Sequence, residues 1–171
     1  MDAGLLIARL IHVVGGILWV GAMFFLVVFL GPALEEVGPD AGKVMGALMK
    51  RKLMVFTPVV AILTVLAGLY LYWRVSDGFN SAYMGSRAGM TYGLGAAAAI
   101  LAFIIGIVVT RPAMARAMAL SQQMANAEPS ERQSLAAQAA KYRSRGANAG
   151  RLIIVLLLLT AAAMAVGRYV P

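Results

Sequence analysis

Four long stretches without a formal charge constrain this chain more than any other feature. They are Leu10–Leu30, Leu53–Trp73, Ala88–Thr110 and Leu152–Gly167. The first three run 21, 21 and 23 residues, which suits α-helices crossing a hydrocarbon core about 30 Å thick. The fourth has 16 residues between Arg151 and Arg168, whose long stems let the charges reach the interfaces. Core helices of soluble domains rarely run so far uncharged. The first stretch is longer than the apolar region of a cleavable signal, and no clear small-residue cleavage site follows it. It reads as the first spanning helix.

The composition narrows the chemistry. Hydrophobic residues make up 61% of the 171-residue chain, well above the usual share in soluble domains. There is no cysteine, so disulfides, thiolate metal sites, CxxC redox chemistry and a cysteine nucleophile are excluded. The net charge is +8. Its basic residues flank the apolar stretches and form no separate basic domain, which points to a lipid bilayer and away from nucleic acid.

The expected fold is an all-α integral membrane protein. It is a single membrane domain over 1–171, a four-transmembrane-helix bundle with a cytoplasmic helical extension between helices three and four. The expected spans are about 5–30, 53–73, 88–110 and 151–169, with an amphipathic cytoplasmic segment at 40–52 and a cytoplasmic helical hairpin at 111–150. The loops after spans one and three hold eleven Lys and Arg, and the opposite side holds four. The positive-inside rule then places both termini outside a bacterial-type inner membrane. Trp73, Phe79, Tyr83, Tyr92 and Tyr169 fall at the outer level, where an aromatic belt is favoured.

The connecting segments carry local signals. Gly31-Pro32 predicts the end of the first helix, with Gly38-Pro39 as a second breaker. Asp40 is placed to cap a short helix toward Lys52. Pro58 is expected to kink the second span and Pro112 to bend the helix entering the hairpin. Glu128-Pro129 ends that helix, and "SERQ" at Ser130–Gln133 matches a capping box for the next.

Gly85, Gly89 and Gly93 recur every four residues and form a small-residue stripe that permits close backbone approach. The expected use is packing within the bundle. A homo-oligomer or a membrane-complex partner using the same stripe is the alternative.

His12 is the only histidine. At helical spacing it shares a face with Gly16, Trp19 and Met23. Gly16 leaves a notch between two ring systems, which suits a flat ligand or a neighbouring helix. Arg9 lies one turn outward. Arg87 falls at a similar depth on the third helix, with Tyr92 slightly deeper, and Tyr70 and Tyr72 approach that level from the second. An ionisable group at membrane depth is costly and usually functional. His12 can ligate one haem iron, with Arg9 and Arg87 pairing to propionates. It can equally hydrogen-bond a hydroxyl or carbonyl on helix two or three. A zinc site lacks ligands, and the Met45/Met49 and Met114/Met118 pairs lie far from His12.

His12, Trp19, Gly21, Phe24-Phe25 and Pro32 resemble helix one of the HemJ-type protoporphyrinogen oxidases. "KRKLMVFTPVVAILTVLAGLYL" (Lys50–Leu71) and the closing "VP" resemble the same family. CopD-like copper-resistance membrane domains share the His-to-Trp pattern. The resemblance implies a four-helix membrane oxidoreductase with haem b at His12, passing electrons from a porphyrinogen toward a respiratory chain. The family's helix-three lysine maps to Arg87. That is a departure, because arginine does not release its proton in a protein. Three expectations follow. One is a haem b-binding redox protein, with His12 as metal ligand and Arg9, Gly16, Trp19, Arg87 and Tyr92 around the cofactor. The second is a non-catalytic membrane subunit or scaffold with no cofactor. The third is a CopD-like copper-handling protein.

Overall fold

Asp2 starts the first helix. Its extended backbone lets the carboxylate accept from the Gly4 N–H at 2.9 Å, satisfying a donor that has no partner inside the helix. The computed structural model describes residues 2–170, and they are helical almost throughout. Helix α1 (Ala3–Phe24) passes through a π-helical turn, Phe25–Leu30, into α2 (Gly31–Val37).

The predicted stop at Gly31-Pro32 is therefore not a stop. A proline ring clashes with the carbonyl four residues back in a regular α-helix. The wider π turn directly before Pro32 changes that register and lets the rod continue. The same device recurs at Pro112. There the π turn Gly106–Thr110 joins α6 (Arg87–Ile105) to α7 (Arg111–Asn126) without a break. The first rod ends instead at Gly38, whose φ of 64° and ψ of −122° suit a residue with no Cβ.

Two predicted caps do not form. Helix α3 (Ala41–Lys50) follows Asp40, but Asp40 has helical angles, φ −79° and ψ −10°. A capping side chain needs an extended backbone there. Its carboxylate instead meets Lys43 Nζ at 2.6 Å. At the hairpin turn, α8 (Pro129–Val166) begins one residue ahead of Ser130. Pro129 at the first helical position is pre-set for a helix and lacks an N–H, so Glu128 becomes the cap residue and the Ser130 capping box is not made.

Helix α4 (Leu53–Val75) carries Pro58 near its start, and α5 (Ser81–Met84) is a single turn before α6. Ser86 caps α6 by accepting from the Gly89 N–H at 3.1 Å. Helix α1 packs on α4, and α6 and α7 pack along α8. Contacts of α4 with α6 and of α1 with α8 join the two pairs. Trp19, Met23, Ala61, Ala102, Ile153 and Leu157 form the core where they meet.

Among the described residues, four helical rods are long and apolar enough to cross a membrane: Ala3–Val37, Leu53–Val75, Arg87–Asn126 and Pro129–Tyr169. Their outward faces are apolar: Leu10, Ile17, Leu94 and Val108 are 63%, 67%, 72% and 64% exposed. The 40-residue rod Arg87–Asn126 is about 60 Å long at 1.5 Å per residue. Its α7 portion lies on α8 through buried Ala113, Ala117, Ala139 and Gly146, and such small residues bring the two backbones close.

Candidate functional site: side chains bonded across helices

His12 is half-buried between α1 and α4. Its Nδ1 lies 2.9 Å from the Thr64 carbonyl oxygen. A carbonyl only accepts, so Nδ1 carries the proton and donates. The ring reaches this position because Gly68 has no side chain: a Cβ there lies 2.6 Å from Cε1 and 2.8 Å from Nδ1. Nε2 has no hydrogen bond among the described residues.

The notch beside His12 is filled by helix. A Cβ on Gly16 meets Thr64 Cγ2 at 3.9 Å, and one on Gly15 collides with Thr64 Oγ1. Thr64 itself is buried and returns its hydroxyl to the Val60 carbonyl at 2.8 Å. Trp19 is 4% exposed and lies in the core.

Two further bonds repeat the pattern. Tyr72 Oη donates to the Gly89 carbonyl at 2.9 Å, joining α4 to α6. Thr160 Oγ1 lies 3.0 Å from the Gly95 carbonyl, joining α6 to α8, and shares its one proton between that acceptor and the Leu156 carbonyl of its own helix at 2.9 Å. In each case a side-chain donor meets a main-chain acceptor where glycine opens a gap. Gly93 leaves room for the Tyr72 hydroxyl, 3.3 Å from a Cβ built there. Gly95 faces Ala163 and Met164. The three bonds run in sequence through α1, α4, α6 and α8. In a medium without water, such bonds satisfy groups that would otherwise be stranded.

The predicted glycine stripe is divided among different tasks. Gly85 lies in the turn before α6, and a Cβ on Gly89 collides with the Tyr83 carbonyl oxygen of the preceding turn. Gly93 faces Tyr72.

None of the remaining candidates is hydrogen-bonded to His12 among the described residues. Arg9 is exposed on α1, and Arg87 is exposed at the first residue of α6. The Tyr92 ring packs on Gly167 at the end of α8. Tyr72 instead sits among Phe79 and Tyr83, with ring centroids 6.0 and 6.4 Å away. Burial, with the Tyr92 and Tyr72 phenols near, holds the Tyr83 hydroxyl above its ordinary range.

As a haem ligand, His12 fits in part. An imidazole held through Nδ1–H by a backbone carbonyl is the usual arrangement of a metal ligand, with Nε2 left to bind. Around it, Thr64 lies against the notch at Gly16, Arg9 and Arg87 are exposed, and the Tyr92 ring packs on Gly167. No group of three His, Cys, Asp or Glu suited to a metal ion occurs among the described residues.

Thr160 and an Asp2–Arg74 ion pair of 2.9 Å were not among the sequence candidates, and Tyr72 was placed near the His12 level without a partner. Thr160 had a signal, as the only hydroxyl in the uncharged stretch Leu152–Gly167. Arg74 and Asp2 lie at opposite ends of two helices and give none. No family model matches the chain, and no curated protein or solved structure matches it.

Proposed function

We propose that the chain is a multi-pass membrane scaffold or subunit of a bacterial-type inner membrane, whose one histidine fastens the first two spans together. The carrying observation is the His12 Nδ1–H bond to the Thr64 carbonyl in the gap at Gly68. It gives the histidine a structural task at a depth where an unpaired polar group is costly. The exposed apolar faces of all four rods support insertion, since large uncovered apolar surfaces mark contact with lipid or protein.

The purified protein is then colourless in the visible range, and His12→Ala lowers its melting temperature without changing its spectrum. A Soret band in the parent protein that disappears in His12→Ala overturns the scaffold reading.

A second reading, ligation of haem b by His12 as the resemblance implies, is favoured by the unbonded Nε2. A bound haem would supply one-electron chemistry, and His12, its ring oriented through Thr64, would hold the iron through Nε2. Expression with ample haem supply is the condition under which the spectrum decides between the two.

A further inference from the structure

At the foot of the α7–α8 hairpin a cleft of about 180 Å³ is lined by Val108, Val109, Pro112 and Arg116 from the third rod and by Tyr142 and Arg145 from α8. A second cleft of about 230 Å³ adjoins it and shares Arg116 and Tyr142. Arg116 donates to Tyr142 Oη at 2.9 Å, with its guanidinium carbon 5.6 Å from the ring centroid. Neither Arg116 nor Arg145 meets a carboxylate among the described residues.

Charge is graded along the hairpin. From 111 to 151 the acids are Glu128 and Glu131, both at the far turn, while Arg111, Arg116, Lys141, Arg143, Arg145 and Arg151 lie nearer the foot. The depth also fits a lipid. The uncharged stretches stop at Thr110 and resume at Leu152. Arg116 lies six residues beyond the first limit and Arg145 seven residues before the second, about 9 and 10.5 Å along a helix at 1.5 Å per residue. A headgroup layer is roughly 5–8 Å thick on each side, so the backbones lie just past it and the long arginine side chains reach back into it. Val108, 64% exposed, borders the same cleft from the apolar side.

We propose that this cleft binds the phosphate of an anionic phospholipid, with Arg116, Arg145 and the Tyr142 hydroxyl on the headgroup and acyl chains along Val108 and Val109. Guanidinium groups match phosphate oxygens in geometry and charge, and basic pockets at a cytoplasmic interface are suited to acidic lipids. The inference rests on the membrane reading above.

The experiment uses the full chain in detergent. Lipid retention is counted by native mass spectrometry, and melting is followed against added phosphatidylglycerol, phosphatidylcholine of the same acyl chains, or inorganic phosphate. Phosphatidylglycerol is retained and raises the melting temperature, while phosphatidylcholine and inorganic phosphate do neither. Arg145→Gln, which removes no hydrogen bond among the described residues, weakens retention roughly tenfold, the size of one charge-assisted contact. Arg116→Gln does the same, and Arg132→Gln near the turn leaves retention unchanged. Equal retention of phosphatidylcholine, equal protection by inorganic phosphate, or an Arg145→Gln protein that retains phosphatidylglycerol like the parent each overturns the lipid site. Alkaline carbonate extraction of cell membranes separates the two failures: a chain that leaves the membrane fraction refutes insertion itself, whereas one that stays leaves only the lipid assignment at fault.

Discussion

Gly68 is the residue on which the His12 contact depends. Thr64 contributes a main-chain acceptor, so substitution at position 64 does not delete it. A methyl group at 68 would occupy the space of the imidazole. Gly68→Ala is expected to cost about 1–3 kcal/mol, the range of an overpacked contact. In a His12→Ala background the same change is expected to cost almost nothing, because the ring is gone. Melting of the four proteins in detergent forms a double-mutant cycle, and additive losses would mean that Gly68 does not serve His12. Gly89→Leu is expected to destabilise more severely, since it meets the Tyr83 main chain rather than a side chain that can turn away. Gly21, by contrast, has nothing within 4 Å of a built Cβ, and Gly21→Ala is expected to be neutral or stabilising by up to about 1 kcal/mol. A parent-like melt for Gly89→Leu contradicts the packing described. The sequence showed that His12, Gly16 and Trp19 share a helix face. It did not show what covers that face, because helical period orders residues around one axis and says nothing of the neighbour.

Among the elements, Gly38 and the two prolines preceded by π turns set where the rods end and where they run on. Gly38 has open space around a built Cβ, so Gly38→Ala tests backbone conformation alone. We expect a loss of about 1–3 kcal/mol, as for other residues forced into sparsely populated angles, read as faster limited proteolysis between Val37 and Ala41. An unchanged cleavage rate would show that the turn tolerates another conformation. The existence of these helices was legible because apolar length is a strong signal. Their exact ends were not: the breaker at Gly31-Pro32 and the cap signals at Asp40 and Ser130 are local rules. A π turn, a helical φ/ψ at Asp40 and a proline at the first position of α8 each overrode one of them.

For the molecule as a whole, the uneven distribution of basic residues is the ground for the proposed orientation, with both termini outside. The natural chain has no cysteine, so single cysteines at exposed Ser81 and Ser130 can be labelled against a silent background. On the proposed topology an impermeant maleimide reaches Ser81→Cys in intact cells and reaches Ser130→Cys only after lysis; labelling of Ser130→Cys from outside reverses the orientation. Four apolar rods could be read from the sequence, but the pairing of α1 with α4 and α6 with α8 could not. Residues meant for lipid and residues meant for another helix are similarly apolar, so hydrophobicity does not separate them. The rod Arg87–Asn126 and its partner α8 continue well past their uncharged stretches as two helices held together by buried alanines. A pair of stiff arms anchored at one end is a lever. By that geometry a slight change of tilt where Thr160 meets Gly95 would be magnified into a wide sweep at Ala127 and Glu128, the far end of the arms.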